Sequence, residues 1–461
     1  MKVIICGAGQ VGWQIARHLS SEKNDVTVVD NNSELVARAV DTLDVNGIAG
    51  NASYPDVLSM AGAGDADMII AATYSDEVNM VTCQVAHSVF KIPRKIARLR
   101  GQSYLDAIYS DLYQRDHLPI DVVISPEKEV AIQALRQLRS PATFDTEPFM
   151  EGKVELLGLI LTEECNVLNT SLRQLSELFP NLRANIVAIR RNGALMVPDS
   201  QEQLIVDDQV YVCTNADDKE RCLEIFGKTN KKQDRVIIIG GGNVGLMVAK
   251  SLENNAIKIH TKIIESNREC AERIADQLER TIVLHGDGLD MELLEEANIS
   301  KTDTVLAVTD DDKTNLLACA RAKSLGCPMV VALINDPTLT TLMSPLNIDA
   351  SVNPRATTVS SILRHVRHGR VKAVYSIGDA EAEVIEAQVM STSPIVGSMI
   401  KDVEWPNGSI IGSIQKNSEI FRPKGSTKIE EGDIVVICHK MFLKLKDYFK
   451  LTLIFSNNVS F

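Results

Sequence analysis

Residues Val3–Gly12 read VIICGAGQVG. Val3, Ile4, Ile5 and Cys6 form an unbroken apolar run, the pattern of a short strand covered on both faces, as in a parallel sheet. Gly7, Gly9 and Gly12 follow in the order G-x-G-x-x-G, and an apolar run at helical spacing, Val11–Leu19, comes next. Strand, glycine turn and helix together are the setting of a dinucleotide-binding loop. Gly7 permits the tight turn, Gly9 lets a pyrophosphate approach the backbone, and Gly12 lets helix and strand pack closely. The helix N-terminus, with Gln10 and Val11, presents N–H groups and a positive dipole end to phosphates. The following strand, Val26–Val29, ends in Asp30, near the offset of about 20 residues at which a carboxylate meets a ribose 2′-hydroxyl. Asn31 and Asn32 come after it, with no Arg or Lys for a 2′-phosphate, so NAD(H) is favoured over NADP(H).

One such loop is a weak signal, but this one occurs twice. Val236–Gly245 reads VIIIGGGNVG, which supplies Gly240, Gly242, Asn243, Val244 and Gly245, and Glu265 closes the strand Lys262–Ile264. The rest of the two halves matches step by step. Gly286-Asp287-Gly288 answers Gly50-Asn51-Ala52. The buried strands Asp67–Ala72 and Thr304–Val308 end in Thr73-Tyr74 and Thr309-Asp310, at the carboxyl edge where ligands sit in open α/β sheets. Asp76 can cap the helix that runs to about Phe90, with Asn79 in its first turn, and Asn315 answers Asn79. Val352-Asn353-Pro354 answers Ile124-Ser125-Pro126. Arg98, at the end of Lys95–Leu99, aligns with Leu333, so the second copy lacks that cation. If Arg98 pairs with a nucleotide phosphate, the two copies should differ in ligand or affinity.

The alternation of β and α predicts two Rossmann-type, doubly wound parallel sheets. Each is followed by a small α+β module. The modules also match each other. Glu155–Leu161 pairs with Glu383–Val389, the short helix Leu168–Leu175 with Ile395–Val403, Ala184–Arg190 with Ser409–Gln415, and Asp208–Cys213 with Asp433–Cys438. The expected domains are residues 1–140, 141–227, 235–371 and 372–461, with the polar stretch Lys228–Asp234 as the linker between halves. A length of 461 residues, at ~150 per domain, accommodates this.

Composition narrows the function. A net charge of −13 opposes a general nucleic-acid binder and an anionic membrane surface. No stretch approaches the roughly 20 apolar residues that span a bilayer, and the N-terminal strand and glycine loop do not read as a signal peptide. Nine scattered cysteines without C-x-x-C fit a reduced, cytosolic chain. Asp310-Asp311-Asp312 reads as a helix-capping loop rather than a metal site. His365 and His368, among Arg364, Arg367 and Arg370, read as a basic helix end. The tail from Met441 begins as an amphipathic helix, expected to pack on its own domain.

GAGQVG with Asp30, followed by a small β-rich module with an acidic turn before its last strand, resembles the KTN/RCK regulatory unit of potassium transporters and channels. Here the unit occurs twice and spans nearly the whole chain. The resemblance implies no chemistry on the nucleotide. It implies a cytosolic, nucleotide-sensing ring on the inner face of a membrane potassium transporter subunit, with four chains giving eight lobes as a closed homotetramer. Contacts to NAD(H) or ATP/ADP would fall on Gly7, Gly9, Gln10, Val11, Asp30, Thr73, Tyr74 and Arg98, and on Gly240, Gly242, Asn243, Val244, Glu265, Thr309 and Asp310. The other reading is an NAD-dependent dehydrogenase, although the small modules offer no standout His or Lys as acid–base partner. A DNA-binding redox repressor lacks its basic recognition helix.

Overall fold

The computed structural model describes residues 1–22, 24–114, 116–254, 259–366, 371–378 and 381–440. The tail from Met441, together with Arg367, His368 and Arg370, lies outside them. The chain divides into two compact units, Met1–Val130 with Pro354–Val366, and Ala131–Asn353 with Arg367–Phe461.

In the first unit, β1 (Lys2–Cys6), β2 (Asp25–Asp30), β3 (Asn46–Ala49), β4 (Met68–Ala71), β5 (Arg94–Arg98) and β6 (Val122–Ile124) form one parallel sheet in the order β3-β2-β1-β4-β5-β6. Alternate residues of β1 face opposite sides. Val3 and Ile5 join Ile15, Leu19, Val28 and Ile70 on one face, and Ile4 and Cys6 join Val57, Leu58 and Ile69 on the other. Both faces are covered, hence the unbroken apolar run.

The first of these faces holds a helix from the far end of the sequence. Helix Pro354–Val366 buries Val359, Ile362, Leu363 and Val366 among Ile15, Leu19 and Ile124. The four recur at i, i+3, i+4 and i+7, a single stripe. Each is buried at 3% exposure or less, which stabilises the contact by on the order of 2 kcal/mol per side chain.

The second unit repeats the parallel design and adds two antiparallel sheets. The small strands that follow the first sheet are β7 (Asp145–Phe149), β8 (Val154–Ile160), β9 (Ala184–Arg191), β10 (Ala194–Met196) and β11 (Gln209–Asn215). Next in chain order are β12 (Arg235–Ile239), β13 (His260–Glu265), β14 (Ile282–His285), β15 (Thr304–Ala307), β16 (Met329–Leu333) and β17 (Ala350–Val352), in the order β14-β13-β12-β15-β16-β17. The last five are β18 (Val371–Ile377), β19 (Ala382–Gln388), β20 (Ser409–Lys416), β21 (Glu419–Phe421) and β22 (Ile434–His439). The small sheets run β7-β8-β11-β9-β10 and β18-β19-β22-β20-β21, the same path walked twice.

The two small sheets share a core. Phe149, Val187 and Cys213 of one cluster with Ile377, Val384, Val436 and Cys438 of the other. Asn185 Nδ2 donates to the Ile411 carbonyl at 2.8 Å, and the Met150 amide donates to Glu386 at 2.6 Å. A Cβ on Gly412 would sit 2.7 Å from Cys213 Sγ, so only glycine allows this approach.

Three local expectations need correction. The first small-module helix spans Leu172–Leu178 rather than Leu168–Leu175, because Ser171 and Gln174 form a reciprocal capping box and Asn169 takes a left-handed φ of 56°. Its counterpart at Ile395–Val403 is no α-helix. Gly397, at φ 85°, breaks the run and leaves one 3₁₀ turn, Ile400–Asp402. The cap of helix Asp76–Ser88 is Ser75, whose hydroxyl accepts the Val78 amide at 3.2 Å, and not Asp76. All nine cysteines are free and eight are buried. No helix among the described residues is long and apolar enough to cross a membrane.

Candidate functional site

The two glycine loops have the same geometry. Gly7 has φ 109° and Gly240 φ 105°, a region L side chains rarely enter. A Cβ on Gly7 would also lie 2.7 Å from the Ala72 carbonyl oxygen. Gly12 and Gly245 back directly onto the turns, since a Cβ would fall 1.7 Å from the Gly7 oxygen and 2.0 Å from the Gly240 oxygen. Gly9 and Gly242 differ from these. Nothing lies within 4 Å of where their Cβ would be. Each is the N-cap of the helix that follows, with no side-chain cap and no acidic residue in the first turn. An open cradle, uncapped N–H groups and a positive dipole end meet at one place in each loop. Gln10 and Asn243, the first helical residues, are exposed, and Val11 and Val244 are half-buried.

The acids at the ends of β2 and β13 hold the loops. Asp30 accepts the Ala8 amide at 2.6 Å and the Asn32 amide at 2.8 Å through separate oxygens. Glu265 accepts the Gly241 amide at 2.6 Å and the Asn267 amide at 2.7 Å. A carboxylate has about four lone-pair positions, so each acid keeps capacity toward ribose hydroxyls while fixing its loop.

The third edge lies at β4 and β15. The Thr73 amide and hydroxyl both donate to Asn79 Oδ1, at 2.9 and 2.7 Å, and Thr309 does the same with Asn315 at the same distances. Asn79 Nδ2 donates to the Arg98 carbonyl at 2.8 Å, and Asn315 Nδ2 to the Leu333 carbonyl at 2.9 Å. Both asparagines are fully buried. They tie adjacent strand ends together, a role that the sequence hinted at only by placing Asn in the first turn of both helices. Asp76 serves the next loop, accepting the Arg100 and Gly101 amides, the latter at 2.7 Å.

The remaining candidates are more loosely placed. Tyr74 is 85% exposed, with the Arg100 guanidinium 5.7 Å over its ring. Asp310 is exposed. Asn51 accepts the Ser53 amide and hydroxyl, and Asp287 accepts the Leu289 amide at 2.9 Å, so both shape their own turns. Asp311 caps helix Asp312–Ser324 by accepting the Thr314 amide at 2.8 Å, as a capping loop should. No group of three or more metal-ligating residues occurs among the described residues.

Arg98 breaks the symmetry. Its side chain is largely buried, and burial, with Arg100 nearby, pulls the guanidinium below its ordinary basicity. Its buried Nε has no hydrogen-bond partner. Glu127 pairs instead with Arg100 at 3.0 Å. Leu333 stands in its place in the second copy.

A residue that the sequence did not single out joins this edge. Arg355, the second residue of helix Pro354–Val366, donates from its guanidinium to Gln10 Oε1.

Fold and site thus define a duplicated Rossmann protein of the RCK type. A family model described as the TrkA-N domain matches residues 3–126 and 236–354, and one described as the TrkA-C domain matches residues 156–227 and 384–440. The chain belongs to the TrkA family. It is 47% identical to the Trk system potassium uptake protein TrkA of Azorhizobium caulinodans, over 95% of each chain. It is 37% identical to that of Vibrio alginolyticus, over 97% of each. Among solved structures, the GsuK RCK domain superposes with a TM-score of 0.58 at 15% identity, covering 96% of this chain and 93% of that one. The GsuK channel bound to NAD gives 0.57 at 16%, covering 98% and 78%.

Proposed function

We propose that the chain is a nucleotide-binding regulatory subunit of a membrane potassium transporter, and not an enzyme. It binds NAD(H), ATP or ADP at the first glycine loop through Gly7, Gly9, Gln10, Val11, Gly12, Asp30, Asn51, Thr73, Tyr74 and Arg98. The second loop, with Gly240, Gly242, Asn243, Val244, Gly245, Glu265, Asp287, Thr309 and Asp310, takes a ligand of lower charge. The observation that carries this reading is the open, uncapped cradle at Gly9, closed by Asp30, in a sheet that also carries Arg98 with a buried, unpartnered Nε at the end of β5. A buried cationic donor left unpaired is costly, and a nucleotide phosphate along the carboxyl edge of this sheet is the kind of acceptor that satisfies it.

The Rossmann domains, residues 1–140 and 235–371, are the sensors, and the small domains, 141–227 and 372–461, join them into larger assemblies. Four chains close a ring of eight lobes, peripheral on the inner face of the cell membrane, against a partner of the TrkH/TrkG kind. Ligand binding regulates flux only by favouring one ring state over another. The family's name for potassium uptake and the GsuK channel solved with NAD support this reading.

Equilibrium binding of NADH and of ATP to the purified chain, with NADH absorbance followed over the same hours, tests it. Saturable binding with constant absorbance is the expected result. Steady loss of NADH with a small carbonyl substrate would overturn it in favour of a dehydrogenase, and binding of neither nucleotide would abandon it.

A further inference from the structure

The first glycine loop carries a cation from a distant part of the chain. Helix Pro354–Val366 is anchored in the core beneath the loop by Val359, Ile362, Leu363 and Val366, in contact with Ile15 and Leu19 of the loop's own helix. That anchorage fixes where the helix begins. Arg355 stands at its second position and reaches Gln10. Gln10 is the first residue of helix Gln10–Ser21, directly after Gly9. Arg355 is half-buried and Gln10 exposed. The guanidinium is therefore bonded to the side chain of the first residue after the open cradle, the residue whose own N–H belongs to the uncapped helix start.

The repeat shows that this charge belongs to one copy only. Pro354 answers Pro126, so the position equivalent to Arg355 is Glu127. Glu127 is an acid, bonded to Arg100 at 3.0 Å. Arg98 has Leu333 as its equivalent. Of the two pairs of equivalent positions, both cations, Arg98 and Arg355, fall in the unit of the first sheet.

We infer that Arg355 is a specificity-determining residue of the first nucleotide site, contacting the terminal phosphate of a nucleoside triphosphate. This rests on the first loop being a nucleotide site. A pyrophosphate on Gly9 is common to NADH and ATP. Beyond it a triphosphate carries further negative charge, while a dinucleotide carries a ribose and a nicotinamide that is neutral when reduced and cationic when oxidised. A guanidinium beside Gln10 pairs with the first through a bidentate contact and gives nothing to the second. Gln10 Oε1 is one acceptor of the guanidinium, and phosphate oxygens are stronger acceptors that compete with it.

The test is binding of ATP, ADP and NADH to the full chain carrying Gly242→Val, which blocks the second loop. The Arg355 position is then varied to Ala, Lys and Glu, and thermal melting of each protein serves as the folding control. Arg355→Ala should weaken ATP at least tenfold, weaken ADP less, and leave NADH within about threefold. Arg355→Lys should recover part of the ATP affinity, and Arg355→Glu should lower it further. The loss should shrink as salt rises from 50 to 300 mM. Equal affinity of ATP for the parent and Arg355→Ala overturns the inference. So does a parallel loss of all three ligands with a lowered melting temperature, which makes Arg355 a helix-docking residue. If the parent binds no nucleotide at all, the nucleotide reading of the loop fails and this inference falls with it.

Discussion

Asn79 Nδ2 donates to the backbone carbonyl of Arg98 at 2.8 Å, across the gap between two parallel strand ends. The same amide group takes the Thr73 amide on its oxygen. One buried side chain thereby sets the spacing of two site positions. Asn79→Ala leaves a buried carbonyl and a buried amide unpaired, each costing about 1–3 kcal/mol. The expected outcome is a destabilisation of about 3 kcal/mol in denaturant melts, with nucleotide affinity reduced in the fraction that stays folded. Asn315→Ala should destabilise its own sheet by a similar amount.

The glycines of one loop separate folding from binding. Gly12→Ala drives a methyl into the Gly7 carbonyl oxygen, where the present gap to a Cβ is 1.7 Å. Backbone must move, and a loss above about 4 kcal/mol is expected, seen as insoluble or unfolded protein. Gly9→Ala meets nothing within 4 Å and keeps φ −62°, an ordinary value for alanine. Its melting temperature should stay close to the parent while NADH and ATP binding at the first loop is lost. A Gly9→Ala protein that binds both nucleotides normally would mean that the cradle is not where the phosphates lie.

The same residues explain what the sequence disclosed. The glycine turns, Asp30, Glu265 and the alternation of strand and helix follow from strongly local signals, in which the type of residue and its spacing already state the backbone geometry. The stripe Val359, Ile362, Leu363 and Val366 is equally visible, but it fits any apolar sheet face. Nothing local to it says that it covers the sheet of the first copy, and so Arg355 could not be assigned to Gln10. Short edge strands such as Ala194–Met196 and Glu419–Phe421 are three residues long, too short for alternation to register. The missing helix at Ile395–Val403 turned on Gly397, whose positive φ outweighed an apolar pattern that suited a helix.

Replacing Arg98 by Leu gives the first copy the residue of the second. The change removes a buried guanidinium whose Nε is unpartnered, so stability should hold or rise. A charge-assisted hydrogen bond to phosphate contributes about 1.5–3 kcal/mol. NADH and ATP should each bind the first loop at least tenfold more weakly in titration calorimetry. Destabilisation without loss of affinity would assign Arg98 to packing alone.

The small-domain core carries a pH-dependent term. The Asp145 carboxyl is enclosed where the two small sheets meet and accepts the Tyr375 hydroxyl. Burial is the largest influence and raises its pKa from 3.8 to about 6, against the opposing effects of Tyr375, the Thr146 amide and Arg136. The folded state therefore binds a proton more tightly than the unfolded chain. Stability from this group is complete below pH 4 and is lost as pH rises through 6. The residue keeps some exposure, which reduces the effect to about 2 kcal/mol. Asp145→Asn keeps an acceptor for Tyr375 and cannot ionise. Between pH 4 and 7 the parent should lose about 2 kcal/mol relative to this variant in urea melts, because all other titrating groups are shared. A difference between the two proteins that stays flat across that range, or one that grows in favour of the parent, would show that Asp145 is ionised in the folded chain at acid pH and that the Tyr375 contact is a charge-assisted one throughout.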